Sequence, residues 1–176
     1  MKIKAAILTA SDRCARGEAR DESGQVLYAM MAARGAEVIA YEVVPDEVGR
    51  IADALCEMAD MGARLILTTG GTGIAPTDVT PEATRQVIER EVPGIAEAMR
   101  AASLASTPHA MLSRAAAGVR GRTLIINLPG SPKGARECLE VALPALDHAV
   151  ELLAGPVADE THSPPPEWGP RPNNGK

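Results

Sequence analysis

Apolar positions along this chain switch between two periods. Short runs at Ile3–Thr9, Glu37–Val44, Arg64–Thr68 and Thr123–Leu128 are rich in Ile, Val, Leu and Thr and are bounded by polar or turn residues, the pattern of buried strands. Between them the spacing becomes helical. Asp21-Glu22-Ser23-Gly24 opens a helix carrying the pairs Val26/Leu27 and Met30/Met31, which Gly35 closes. Pro45 stops the second strand, and Asp46 is placed to cap a helix over Glu47–Met61 with Val48, Ile51, Ala52, Leu55 and Ala59 on one face. After the third strand, Thr80 as N-cap and Pro81 as first residue start a helix that ends at Val92-Pro93-Gly94. Another helix is predicted over Ile95–Ser103. Pro108, Gly118 and Gly121 make Ser106–Gly121 loops with a short strand. The last helix runs to Leu153 on a face of Cys138, Leu139, Ala142, Leu146, Ala149, Val150 and Leu153, with Pro144 on the opposite face.

Strands alternating with helices predict a single α/β domain, doubly wound, with a mainly parallel sheet flanked by helices, over residues 1–154. From Gly155 to Lys176 the composition turns to Pro, Gly and polar residues, a solvated Pro-rich C-terminal tail in which Trp168 is the residue suited to packing. In a sheet of this kind the strand-to-helix loops share one edge, where ligands bind. That edge gathers Ser11-Asp12-Arg13, Pro45-Asp46-Glu47, the glycine run Gly70–Gly73 with Asp78, and Leu128-Pro129-Gly130-Ser131.

Composition narrows the partners. The 176 residues carry a net charge of −5, so no general attraction to nucleic acid or an anionic membrane is expected. Two Tyr, one Trp and no Phe leave few platforms for stacking bases. Cys14, Cys56 and Cys138 lack metal-ligand spacing, and free thiols fit a cytoplasmic protein. The apolar run after Met1-Lys2 is too short for a signal sequence or a membrane span.

The candidate chemistry sits after the third strand. Gly70, Gly71 and Gly73 leave backbone N–H groups open to an anion, and Asp78 sets a carboxylate beside them. The run lacks the Gly-Lys-Ser/Thr of a Walker loop, and Gly71-Thr72-Gly73-Ile74-Ala75-Pro76 fails G-x-G-x-x-G at its third glycine. It reads as a ligand loop or, more plainly, as a tight turn. Asp46 alone is a helix cap; brought near Asp78 it makes a pair that tolerates an anion only with Mg²⁺ between them. Asp12 and Asp21 read as capping residues. Lys133 stands at the unfavourable end of its helix, where it is either compensated by a bound anion or simply exposed and tolerated. His109, His148 and His162 have no partners at useful spacing and read as structural or surface residues.

Thr69-Gly70-Gly71-Thr72-Gly73, Asp78-Val79-Thr80-Pro81-Glu82-Ala83-Thr84, Pro93-Gly94, Met111-Leu112-Ser113-Arg114 and Ile126-Asn127-Leu128-Pro129-Gly130-Ser131-Pro132-Lys133 follow one another in order. With Ser11-Asp12, Asp21-x-Ser23-Gly24 and Val44-Pro45-Asp46-Glu47, they resemble the MogA/MoaB family of molybdenum-cofactor biosynthesis proteins, similar also to the gephyrin and Cnx1 G domains, over residues 3–154. The resemblance implies a MogA/MoaB-like fold and Mg²⁺- and ATP-dependent adenylylation of molybdopterin with release of pyrophosphate. By resemblance, Asp46 and Asp78 handle Mg²⁺ and the nucleotide phosphates. Gly70, Gly71, Thr72 and Gly73 line the nucleotide side, while Ser11, Ser113, Asn127, Pro129, Gly130 and Ser131 bind the pterin and its phosphate. It further implies a homotrimer and a downstream molybdate-inserting protein as a partner. Two readings stay open at this point: the adenylyltransferase, and a non-catalytic MoaB-type molybdopterin-binding or scaffolding trimer.

Overall fold

A computed structural model of the chain describes residues 2–155. The Pro-rich tail, with Trp168 and His162, lies outside the described residues save for Gly155. Six strands form one sheet in the order β2-β1-β3-β6-β5-β4, namely β1 (Lys4–Ala10), β2 (Glu37–Val44), β3 (Leu65–Thr69), β4 (Arg90–Glu91), β5 (Ala117–Arg120) and β6 (Thr123–Leu128). β2, β1, β3 and β6 run parallel, and β5 and β4 add antiparallel pairs at one side. The mainly parallel, doubly wound α/β sheet is therefore present. Helices α1 (Asp12–Ala15), α2 (Glu22–Ala33), α3 (Val48–Asp60), α4 (Thr80–Val87), α5 (Pro93–Leu104) and α6 (Pro132–Ala154) flank it, with a 3-10 turn at Pro108–Leu112.

The central strands are apolar on both faces because both faces are covered. Ile7, Leu65, Leu67, Leu124 and Ile126 pack with Leu27 of α2, Met99 of α5 and Leu139 and Leu146 of α6. Their sequence neighbours Ala6, Leu8, Ile66 and Ile125 turn the other way, onto Ile51 and Leu55 of α3 and Ala83 and Val87 of α4. Each such side chain, buried fully, contributes about 1.5–3 kcal/mol of transfer free energy. The predicted face of α6 is the buried one, and Pro144 is exposed on the far side, where water can serve the carbonyl it leaves without a donor.

Two predicted caps are replaced by tertiary contacts. Asp46 does not cap α3, whose N-cap position is Glu47 with no side-chain bond. Instead, the Asp12 amide donates to Asp46 Oδ2 at 2.9 Å and the Asp46 amide donates to Asp12 Oδ1 at 3.0 Å. The loops after β1 and β2 are thereby stitched together. Thr80 does not cap α4 either. Its amide donates to the Gly71 carbonyl at 3.1 Å, Thr80 is itself the first helical residue, and its buried hydroxyl has no partner among the described residues. β5 is the short strand expected within Ser106–Gly121, whereas β4 occupies the end of the helix read as running to Val92-Pro93-Gly94, and its two residues leave no period to detect.

Candidate functional site

The loops that leave β1, β2, β3 and β6 meet at one sheet edge, as strand order requires. Gly70 and Gly71 carry φ of 93° and 63°, which bends the chain sharply as it leaves β3. A Cβ at Gly70 would collide with the Ala10 carbonyl, and one at Gly130 would stand 3.2 Å from the Gly70 Cα. The loops after β3 and β6 therefore lie backbone against backbone. Thr69 ties them, its hydroxyl donating to the Pro129 carbonyl at 2.7 Å.

These two loops form the wall between two cavities. On one side, a polar cavity of about 330 Å³ is lined by Ser11, Gly70, Gly71, Gly130 and the acids Asp21, Glu22, Asp46 and Asp78, with Arg20 as its one lining cation. On the other, an apolar cavity of about 260 Å³ is lined by Thr72, Gly73, Ser113, Pro129 and Ser131, together with Met99, Arg100, Ser103 and His109. The glycine run is thus divided between the cavities after Gly71. Ser11 stands with the carboxylates rather than with Ser113. Its hydroxyl caps α1 by accepting the Cys14 amide at 3.3 Å.

Asp46 and Asp78 do share a cavity. Burial pushes the Asp46 carboxyl up; the Asp12 amide opposes that, and the charges of Asp12 and Asp78 add to it. Asp78 is oriented locally, Oδ2 accepting the Ala75 amide at 2.8 Å. One oxygen on each carboxylate stays without a hydrogen-bond partner among the described residues. Gly71 keeps the space before Asp46 Oδ1 open, since a Cβ there would lie 3.3 Å from it. Paired hard oxygens suit Mg²⁺, which takes one or two carboxylates and completes its shell with phosphate oxygens and water. Among the described residues no group of three or more His, Cys, Asp or Glu is placed to hold a metal ion.

Asn127, assigned to the pterin by resemblance, lines neither cavity. It is 0% exposed on the α4 face of β6. Its amide donates to Thr68 at 3.0 Å and to Thr84 at 2.8 Å and accepts from the Ala116 backbone at 3.2 Å. With its hydrogen bonds committed inward, it supports the floor beneath the loops and faces neither cavity. Lys133 lies 80% exposed beside Glu137, 3.7 Å away, which answers part of the charge expected of an anion. Asp21 caps α2 and also accepts the Thr9 and Tyr41 hydroxyls at 2.6 and 2.5 Å. Tyr41 is held as a phenol by burial first and by Asp21 second.

Several lining residues carry no sequence signal. Arg100, Ser103, His109 and Cys138 converge only because α5, the 3-10 turn and α6 pack together. Burial raises the Cys138 thiol, against the hydrogen bond with Ser103, so the sulfur stays protonated at neutral pH. Arg114, quoted within Met111-Leu112-Ser113-Arg114 but given no role there, reaches Gly73, Asp78 and Glu82 with its side chain.

A cavity lined by carboxylates and a mainly apolar one thus adjoin at the loops after β3 and β6 of this α/β protein. The chain belongs to the molybdopterin-binding family of molybdenum-cofactor biosynthesis, whose model, a probable molybdopterin binding domain, matches residues 6–148. It is 44% identical over 156 residues to the molybdopterin adenylyltransferase of Helicobacter pylori, covering 87% of this chain and 89% of that protein. It is 45% identical over 157 residues to gephyrin of Dictyostelium discoideum, covering 84% of this chain but 22% of that longer protein. Among solved structures, the molybdopterin biosynthesis enzyme MoaB of Thermus thermophilus matches with a TM-score of 0.82 and 55% identity, over 88% of this chain and 98% of that one. Among the described residues, no helix is long and apolar enough to cross a membrane.

Proposed function

We propose that this chain is a molybdopterin adenylyltransferase, with ATP in the polar cavity and the pterin of molybdopterin in the apolar one. The observation that carries the reading is the division of one glycine wall between two cavities of opposite character, with Asp46 and Asp78 on one side only. The name borne by the Helicobacter pylori relative supports it, since the alignment spans nearly all of that protein.

In the proposed reaction the terminal phosphate of molybdopterin forms a bond to the α-phosphorus of ATP. The bond from that phosphorus to the bridging oxygen breaks, and pyrophosphate leaves with the electron pair. A phosphate monoester is already ionised near neutral pH, so no general base is needed. The work left to the chain is alignment and stabilisation of charge. The Gly71 amide meets the nucleotide phosphates, while Gly70, whose own amide donates to the Leu128 carbonyl at 3.3 Å, only lines that side; Thr72, Gly73, Ser113, Pro129 and Ser131 bind the pterin side; Ser11 and Gly130 meet phosphate on the polar side. The N-terminus of α6, capped by the Ser131 hydroxyl accepting the Gly134 amide at 3.1 Å, favours negative charge at the seam. Asp46 and Asp78 would hold Mg²⁺, which when bound neutralises charge on the phosphates. Four carboxylates around a site for a polyanion support that assignment, because without a cation they would repel it.

The family resemblance further supports a homotrimer, which sedimentation equilibrium checks, and a downstream molybdate-inserting protein as recipient of the product. The enzyme reading is tested by incubating the protein with molybdopterin, Mg²⁺ and ATP. Adenylylated molybdopterin is expected in step with pyrophosphate. Folded protein that binds molybdopterin and forms no product would instead establish the non-catalytic, MoaB-type binding or scaffolding trimer.

A further inference from the structure

The excursion from Gly73 to Asp78 is built almost entirely from itself. The Ala75 amide donates to Asp78 Oδ2, and the Asp78 amide donates back to the Ala75 carbonyl at 2.9 Å. Ile74, Ala75, Pro76 and Thr77 are exposed, so core packing does not hold them. One side chain closes the neck. Arg114 Nε donates to the Gly73 carbonyl at 2.6 Å, a second guanidinium nitrogen donates to the Asp78 carbonyl at 2.5 Å, and the third pairs with Glu82 at the start of α4. The Arg114 amide adds a bond to the Thr72 carbonyl at 2.9 Å. Burial alone would raise the Glu82 carboxyl, but the Arg114 hydrogen bond and charge hold it below its usual range, so the anchor stays ionised. The segment carrying Arg114 is itself fixed, because Arg100 donates to the Ser113 and Ala115 carbonyls at 3.4 and 3.1 Å.

From this geometry we infer that Arg114 is a positioning residue, whose guanidinium clasps both ends of the Gly73–Asp78 excursion and so sets the Asp78 carboxylate in the polar cavity. The inference rests on the reading of Asp78 as a nucleotide-handling group. A planar guanidinium directs three donors at once to two carbonyls and a carboxylate, whereas an ammonium on a flexible stem cannot reproduce that fork. Ser113, one residue earlier, lines the apolar cavity, so the clasp also joins the loop to the wall of the second site. Among the described residues the Arg114 side chain bonds Gly73, Asp78 and Glu82 alone, and it acts through Asp78.

Arg114→Lys tests this with two readouts. Amide hydrogen exchange over residues 71–79 should accelerate while β3 and β6 keep their wild-type rates. Turnover at saturating substrate should fall about 100-fold, the scale of a misplacement near 1 Å, with KM for molybdopterin changed less than about threefold. Wild-type exchange over that segment, or turnover within about threefold of wild type, would overturn the inference. Glu82→Gln removes the ionic anchor and spares both carbonyl bonds, so its loss should stay under about fivefold; a loss equal to that of the lysine variant would overturn the clasp in favour of simple ion pairing. If Arg114→Lys does not fold, Arg114→Ala with added guanidinium replaces it. Restored protection over residues 71–79 supports the clasp, and a folded protein that guanidinium leaves unprotected refutes it. Exchange does not depend on chemistry. A wild-type protein without turnover whose loop loosens in Arg114→Lys would keep the clasp and remove only the adenylylation reading.

Discussion

The two cavities differ in how they are made. The polar one is framed by short contacts between loops distant in sequence: Asp12 with Asp46, Thr69 with Pro129, and Gly130 against Gly70. Apart from Arg20 and Pro132 its residues are small, acidic or glycine, and the glycines follow from backbone approach. The apolar one is framed by packing, where Met99 and Ser103 of α5 face Cys138 of α6 and the 3-10 turn closes the side. Hydrogen-bonded loops make a cavity of fixed shape for charge, while side chains around a hollow make one that a bulky ring can fill. The loops after β3 and β6 lie between a cavity specified by geometry and one specified by volume.

The sharpest way to break that comparison is Asp78→Asn. Turnover should drop by about 10²–10³-fold, the scale of removing a preorganised charge-stabilising group, while molybdopterin binding measured by fluorescence persists. Loss of pterin binding in the same variant would mean the cavities are not separate. The converse variant, Ser103→Leu, fills the apolar side. It should weaken molybdopterin about tenfold or more, roughly 1.4 kcal/mol, and leave Mg²⁺-ATP affinity within about twofold by calorimetry.

What the chain's order revealed divides along the same line. The motif at Gly70–Gly73 with Asp78 was legible because close backbone approach demands glycine, and glycine is visible in a sequence. Asp46 was legible as a partner because parallel strands bring successive loops to one edge. The role of Asn127 was not. Alternation along β6 turns Leu124, Ile126 and Leu128 to one face and Ile125 and Asn127 to the other, so Asn127 points at α4 and away from the loop it precedes. The role of Arg114, visible only as part of a motif, was hidden for a different reason. Its value lies in carbonyls contributed by residues 36 and 41 positions earlier, and no local pattern encodes such a reach. The apolar cavity was equally silent, since a hollow between helices is a property of packing.

Asn127→Leu sharpens this placement. Removing the amide strands the Ala116 N–H and the Thr68 and Thr84 hydroxyls in the core, a cost of about 3 kcal/mol. The melting midpoint should fall by roughly 6–12 °C, and the surviving folded protein should bind molybdopterin with unchanged affinity. Weakened binding without lost stability would return Asn127 to the ligand site.

The smallest effect concerns Asp46 in the free protein. Its carboxyl is raised by burial, so the folded state favours the protonated form. That contribution is fully present below the ordinary carboxylate value, near 3.9, and is lost as pH rises through the raised one. Asp46→Asn keeps an acceptor for the Asp12 amide and carries no charge at any pH. Its melting midpoint should therefore match wild type in acid and rise above it toward neutrality without Mg²⁺. Added Mg²⁺ with ATP should reverse the order, because only the wild type gains the bound ion.

The central claim is that two ligands occupy two adjoining sites divided by one glycine wall. Crossed calorimetric titration addresses it directly, with molybdopterin added to Asp78→Asn and Mg²⁺-ATP added to Ser103→Leu. Each variant is expected to retain wild-type affinity for the ligand of the unaltered cavity and to weaken the other. If either substitution abolishes both ligands together in a folded protein, the cavities are one site and the account is wrong.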